Sequence, residues 1–277
     1  MPLNSQLNGD SEVEFCVIKI YAMNTENQQS KIVVITGGSR GIGKSIALNA
    51  AKRGIGVIIT FNTHPEEGKA VVSEIDQLGG KAVALELDIA KIGSFTSFAD
   101  QIRHVLKHEW NREDFDYLVN NAGIAQRASI QDTTEAIFDQ LVNVNFKGVF
   151  FLTKTLIPLI IDGGHIINIS SALARFAFPG VAVYGALKSA VEGLTRYFAK
   201  EYSDRKIRVN TVAPGAIDTD FGGGKGDEHH RQQLASTTAL GRLGEAQDVG
   251  LFVASLLSDD SRFVNAQRIE VGGGIYI

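Results

Sequence analysis

The chain of 277 residues has a single cysteine, Cys16. No intramolecular disulfide can form, and a reducing compartment, the cytoplasm, is the expected location. Positive charge is not in excess: 27 lysines and arginines against 31 acids leave a net charge of −4. That balance gives no electrostatic footprint for nucleic acid or for an anionic membrane. Long apolar runs are missing too, since none approaches the ~20 residues that a membrane helix needs. The longest candidate, residues 148–161, contains Lys154 and Pro158 and reads as a buried interface helix. No lysine or arginine precedes Lys19, and no apolar core with a small-residue cleavage site is found near the start, which argues against a secretory signal. Internal repeats and low-complexity linkers are absent.

What is present, at 44% hydrophobic content, suffices for one α/β core. Strand signals recur near 31–36, 56–61, 81–87, 115–120, 164–170, 206–213 and 267–271, with helical patterns between them. This alternation predicts a single doubly wound parallel sheet of Rossmann type over 31–277, with a small substrate lid where it breaks at 219–240. Residues 1–30 form an N-terminal extension expected to be disordered, although 12–21 reads equally as a short strand. Met23 is followed by a short polar lead-in to the first strand, so Met23 is expected to be the true start.

Tyr184 and Lys188 are four residues apart, with Ser171 upstream. On a helix, residues i and i+4 share a face. An ammonium beside a phenol favours the phenolate, so the spacing predicts a lowered Tyr184 pKa and a tyrosine that exchanges a proton with a carbonyl or alcohol oxygen.

Upstream, an apolar run from Ile32 to Ile35 leads into Thr36-Gly37-Gly38-Ser39-Arg40-Gly41-Ile42-Gly43 and then a helical pattern. Glycine admits positive φ and lets a pyrophosphate approach the positive end of a helix. The spacing is G-x-x-x-G-x-G, not the usual G-x-G-x-x-G. The second strand ends in Phe61-Asn62-Thr63-His64, with no acid until Glu66. NAD sites place an acid there to bond the ribose 2′-hydroxyl, whereas a 2′-phosphate needs a cation. Arg40, Asn62 and Thr63 therefore point to NADP.

With Asn120-Asn121-Ala122-Gly123, Asn145, Ser171, Tyr184 and Lys188 following in order, the chain from about Lys31 to Gly274 resembles the short-chain dehydrogenase/reductase family, and within it the 3-oxoacyl-carrier-protein-reductase-like members. The resemblance implies catalytic roles for Asn145, Ser171, Tyr184 and Lys188. Tyr184 would supply the proton and Ser171 hold the substrate oxygen. Lys188 would act on the tyrosine and the nicotinamide ribose, and Asn145 would keep a proton relay. Strand alternation puts Ser170 and Ser171 on opposite faces; the family spacing selects Ser171. The resemblance also implies cofactor contacts at Gly37, Ser39, Arg40, Gly41, Ile42 and Gly43, and at Asn62, Asp88 and Ile89. Asn121, Ala122 and Gly123 would line the adenosine side, and Pro214, Gly215, Ile217 and Thr219 the nicotinamide side.

In the family the 219–240 segment is a lid, and Gly222-Gly223-Gly224 is expected to be its hinge. His229 and His230 there are read as a solvated face, so no metal is expected. Arg175, Phe176, Phe178, Val181, Ile124 and Gln126 are expected to wall a pocket for a small carbonyl substrate. The resemblance further implies a homotetramer through helices beginning near Thr134 and Val183. Asn265-Ala266 departs from the Thr-Gly of many members. The resulting expectation is an NADP-dependent reductase of a ketone, aldehyde or 3-oxoacyl thioester. The alternatives are an NADP-binding regulator without turnover and an NAD-dependent alcohol dehydrogenase. Enoyl reduction is disfavoured, because that variant spaces tyrosine and lysine wider and Val181 stands seven before Lys188.

Overall fold

Ile32–Ile35 form β1, fully buried inside a parallel seven-stranded sheet. The other strands are β2 (Gly56–Phe61), β3 (Ala82–Glu86), β4 (Phe115–Asn120), β5 (Ile160–Ile169), β6 (Arg208–Pro214) and β7 (Arg268–Val271), in the order β3-β2-β1-β4-β5-β6-β7. The computed structural model describes residues 30–221 and 228–276. The expectations for the extension before Ser30, the Met23 start and the Gly222-Gly223-Gly224 hinge lie outside the described residues.

Helices α1 (Gly41–Ala51), α2 (Pro65–Gln77), α3 (Phe95–Trp110), α4 (Glu135–Val142), α5 (Gly148–Leu156), α6 (Ala182–Glu201), α7 (Glu228–Ser236) and α8 (Ala246–Leu256) connect the strands. Alternate strand residues feed two cores, because successive side chains point to opposite faces of a sheet. Ile32 and Val34 meet Phe98, Ile102 and Leu152 of α3 and α5. Val33 and Ile35 meet Ile46, Val249 and Val253 of α1 and α8. The doubly wound expectation is therefore correct. The strand order reverses at β1, so a crevice opens at the carboxyl ends of β1 and β4, where such folds bind ligands.

One expected element is shorter than anticipated. The helix of 148–161 ends at Leu156; Pro158 sits in a 3₁₀ turn and β5 begins at Ile160. Ile160 pairs with Phe115, and the register then shifts so that His165 pairs with Tyr117. Gly164 absorbs the irregularity, since a Cβ there would stand 2.8 Å from the Asp116 carbonyl oxygen. Among the described residues no helix is long and apolar enough to cross a membrane.

Candidate active site

The glycine turn is pinned to its neighbours by backbone and side-chain bonds. The amides of Gly37 and Gly38 donate to Thr60 at the end of β2, through its hydroxyl (3.1 Å) and carbonyl (2.8 Å). The Thr36 hydroxyl accepts from the amides of Asn121 (3.0 Å) and Ala122 (2.9 Å), and Asn121 Nδ2 donates to the carbonyls of Thr36 and Gly37. Gly37 and Gly41 take φ of 62° and 53°, the left-handed region that favours glycine. Gly43 packs onto the Gly37 carbonyl, so Ile42 and α1 start at the turn itself. Arg40 is the N-cap of α1 with no side-chain cap bond, which leaves the first-turn amides open to an anion. Arg40 is exposed and makes no ion pair among the described residues. Asn62 and Thr63 are exposed just beyond β2. Ser39 has a partner that the sequence reading missed: its hydroxyl donates to Glu67 Oε2 at 3.3 Å.

Across the crevice, Asp88 follows β3 and accepts from the Ala90 amide at 3.0 Å, while Ile89 is buried with its carbonyl against Gly148. A side chain at Gly148 would overlap that carbonyl. Pro214 ends β6, the Gly215 amide donates to Val271, and Ile217 bridges to Gly244. Thr219 comes back beside Gly41. The structure thus brings the predicted cofactor positions to one rim of the sheet.

Tyr184 and Lys188 lie on the first two turns of α6, both buried. Lys188 Nζ donates to the Ile169 carbonyl at 2.8 Å and stands 5.6 Å from the centre of the Tyr184 ring. Burial pulls the Lys188 ammonium down to about 8. The expectation of a lowered Tyr184 pKa needs correction. Burial raises the phenol pKa, and the hydrogen bond with Ser171 offsets this only in part. The phenol is therefore held protonated, because burial removes the water that would solvate the phenolate. Ser171 caps a 3₁₀ turn, Ala172–Ala174, and accepts from the Leu173 amide at 3.2 Å. Ser170 instead donates to Glu192 (2.8 Å) and to the Lys188 carbonyl (3.3 Å).

Asn145 sits fully buried in a π-helical turn, Asn143–Lys147, between α4 and α5, an element that the sequence reading did not anticipate. The Gly148 amide reaches back five residues to the Asn143 carbonyl. Such turns recur at functional sites. Asn145 Nδ2 donates to the carbonyls of Ile124 (2.9 Å) and Leu141 (3.0 Å), and its Oδ1 accepts from the Ile124 amide (3.2 Å). A Cβ on Gly123 would lie 2.9 Å from Asn145 Oδ1 and 3.6 Å from Lys188 Nζ, so the three residues share one small volume.

Beneath the site, a buried polar row ties β4, β5 and β6 together. Asn120 Nδ2 donates to Thr153 and Asn168, Asn168 Nδ2 to Thr195, and Thr195 bonds Thr211. Asn120 Oδ1 is buried without a hydrogen-bond partner.

Of the expected pocket wall, Phe176 is engaged by Tyr276 (5.5 Å between ring centres), Phe178 by Arg127 and Arg175 by Glu270. Phe221 lies against Tyr184, with ring centres 5.9 Å apart. Among the described residues no cluster of His, Cys, Asp or Glu is arranged to hold a metal ion.

A family model described as enoyl-(acyl carrier protein) reductase matches residues 37–276. The 3-oxoacyl-(acyl-carrier-protein) reductase FabG of Staphylococcus aureus is 35% identical over 253 residues, covering 90% of this chain and 100% of its own. The chain belongs to the short-chain dehydrogenase/reductase family. The hydroxynaphthalene reductase-like protein Arp2 of Metarhizium brunneum is 35% identical over 258 residues, covering 88% of this chain and 94% of its own. A short-chain dehydrogenase from Burkholderia cenocepacia, solved in complex with NADP, superposes with a TM-score of 0.81 at 34% identity, covering 90% of this chain and 99% of the other. As a short-chain dehydrogenase/reductase the chain shares the doubly wound sheet of its solved relatives, and Ala266 takes a φ of 56°.

Proposed function

We propose that this short-chain dehydrogenase/reductase reduces a ketone, aldehyde or 3-oxoacyl thioester with NADPH. The observation that carries the reading is geometric: Tyr184 and Lys188 are both buried one helical turn apart on α6, with the Lys188 nitrogen 5.6 Å from the centre of the Tyr184 ring. A protonated phenol is the form that can donate to a carbonyl oxygen as negative charge develops on it.

The residues present fit a dinucleotide. The turn at Gly37 to Gly43 has no side chains between backbone and ligand at its glycines, α1 opens with uncapped amides, and Arg40 is free for a 2′-phosphate. Gly37, Ser39, Arg40, Gly41, Ile42 and Gly43 would hold the phosphates with Asn62. Asp88, Ile89, Asn121, Ala122 and Gly123 would hold the adenosine side. Pro214, Gly215, Ile217 and Thr219 would hold the nicotinamide side. The bound nicotinamide supplies hydride. Ser171 orients the substrate oxygen, Tyr184 delivers its proton there, and the Lys188 ammonium stabilises the phenolate that remains. Asn145 fixes the 124 backbone and keeps the site's inner wall in place. Tyr184 and Lys188 at a spacing of four favour carbonyl over enoyl reduction.

The coenzyme reading is tested by titrating the purified protein with NADPH and NADH, followed by a carbonyl screen with Tyr184→Phe as control. Binding of neither coenzyme would overturn it. A cytoplasmic location is supported by the lone cysteine. A homotetramer through α4 and α6 is supported by apolar side chains left uncovered beside them, Ile130 at 82% exposed and Phe138 on α4.

A further inference from the structure

Two opposite charges flank the glycine turn, and only one of them serves a 2′-phosphate. Arg40 at the start of α1 is exposed and unpaired among the described residues. Glu67 comes from the first turn of α2, where Glu66 turns outward to Lys69 at 2.9 Å while Glu67 turns inward to the Ser39 hydroxyl at 3.3 Å. Lys44 on α1 is engaged by Glu74 at 2.7 Å. Glu67 makes no ion pair of its own among the described residues, so its charge is not neutralised by a neighbour.

We infer that Glu67 is a specificity-determining residue that weakens the preference for NADP and admits NAD as a second coenzyme. The inference rests on the proposed dinucleotide reading of this site. A carboxylate repels a phosphate that carries up to two negative charges, and the repulsion is moderated but not abolished near a protein surface. The same carboxylate can accept a hydrogen bond from a neutral ribose hydroxyl, as it now does from Ser39. Arg40 then acts for the phosphorylated coenzyme and Glu67 for the unphosphorylated one. The acid does not lie at the end of β2, where a sequence reading looks for it. It arrives from the next helix, five residues after Asn62.

The test is the dissociation constant of NADPH and of NADH, measured by calorimetry for wild type, Glu67→Gln and Glu67→Ala. Glutamine retains an acceptor for Ser39 and removes only the charge. The expected result is NADPH binding tightened about tenfold in Glu67→Gln, with NADH binding unchanged or weaker. Raising the salt concentration should narrow the difference between wild type and variant for NADPH. The alanine variant should follow the glutamine one, and its melting temperature shows whether loss of the Ser39 bond has disturbed the turn. An NADPH-to-NADH ratio that neither variant moves overturns the inference and leaves the coenzyme reading intact. Wild-type protein that binds neither coenzyme overturns both.

Discussion

The Lys188 ammonium points its hydrogen bond at the carbonyl of Ile169, not at the phenol of Tyr184, although its nitrogen is 5.6 Å from the centre of that ring. The two groups act on each other through space and through their common burial. In the proposed mechanism this leaves the phenol as proton donor and the ammonium as the charge that stabilises the phenolate.

Tyr184→Phe is therefore expected to lower kcat by about 10²–10⁴-fold, the range for loss of a positioned proton donor, while coenzyme binding is retained. Single-turnover kinetics with a carbonyl substrate, alongside a coenzyme titration, checks both halves. Unchanged turnover would remove Tyr184 from the chemistry.

Lys188 makes stability depend on alkaline pH. Its pKa falls from 10.5 to about 8 on folding. Between those values the unfolded chain binds more protons than the folded one, so this site's contribution to stability rises with pH and is flat outside the window. Lys188→Met should flatten the difference in denaturant midpoint measured between pH 8 and 10.

His165 sets an acid limit in the same way. Its Nδ1–H donates to the Leu256 carbonyl at 3.2 Å and its Nε2 accepts from Asn210 at 2.8 Å, which leaves no site for a second proton. Burial, with Arg208 adding repulsion, lowers its pKa from 6.5 to about 3. Stability is unaffected above pH 6.5 and is lost by about 1.4 kcal/mol per pH unit as pH falls towards 3. Urea unfolding of wild type and His165→Gln across this range should show a shallower acid limb in the variant.

Ala266 occupies a left-handed conformation, and Asn265 Oδ1 accepts from its amide and from Val209. Alanine in that conformation costs roughly 1–2 kcal/mol, part of which glycine returns through its freer unfolded chain. Ala266→Gly should raise stability by about 0.5–1 kcal/mol, a gain of a few degrees in Tm by calorimetry.

Much of this architecture could be read from the chain before any coordinates. β1 and β2 are continuous β-branched runs bounded by glycine and polar turns, and buried parallel strands carry that signature. The early start of β5 could not be read, because Pro158 and Asp162-Gly163-Gly164 signal turns while the sheet accepts them through a register shift. The π turn is silent as well, since the apolar pattern from α4 into α5 runs on without a break. The spacing of Tyr184 and Lys188 placed them on one face but carried no information on burial, and burial reverses the expected direction of the tyrosine shift. Glu67 and Phe221 were missed because each reaches the site through a fold of the chain that no local pattern encodes.

The π turn has a consequence for the phase of everything after it. Each α-helical residue advances the helix by roughly 100°, so one surplus residue in 143–147 rotates α5 by about that angle relative to an uninterrupted continuation of α4. Leu152 and Leu156 fill the core only in that rotated setting, while Asn145 faces Gly123 from within the turn itself. Loss of one residue from this stretch would restore a regular helix and set either the core face or the asparagine out of alignment. The segment is thus closed to any change in the number of its residues.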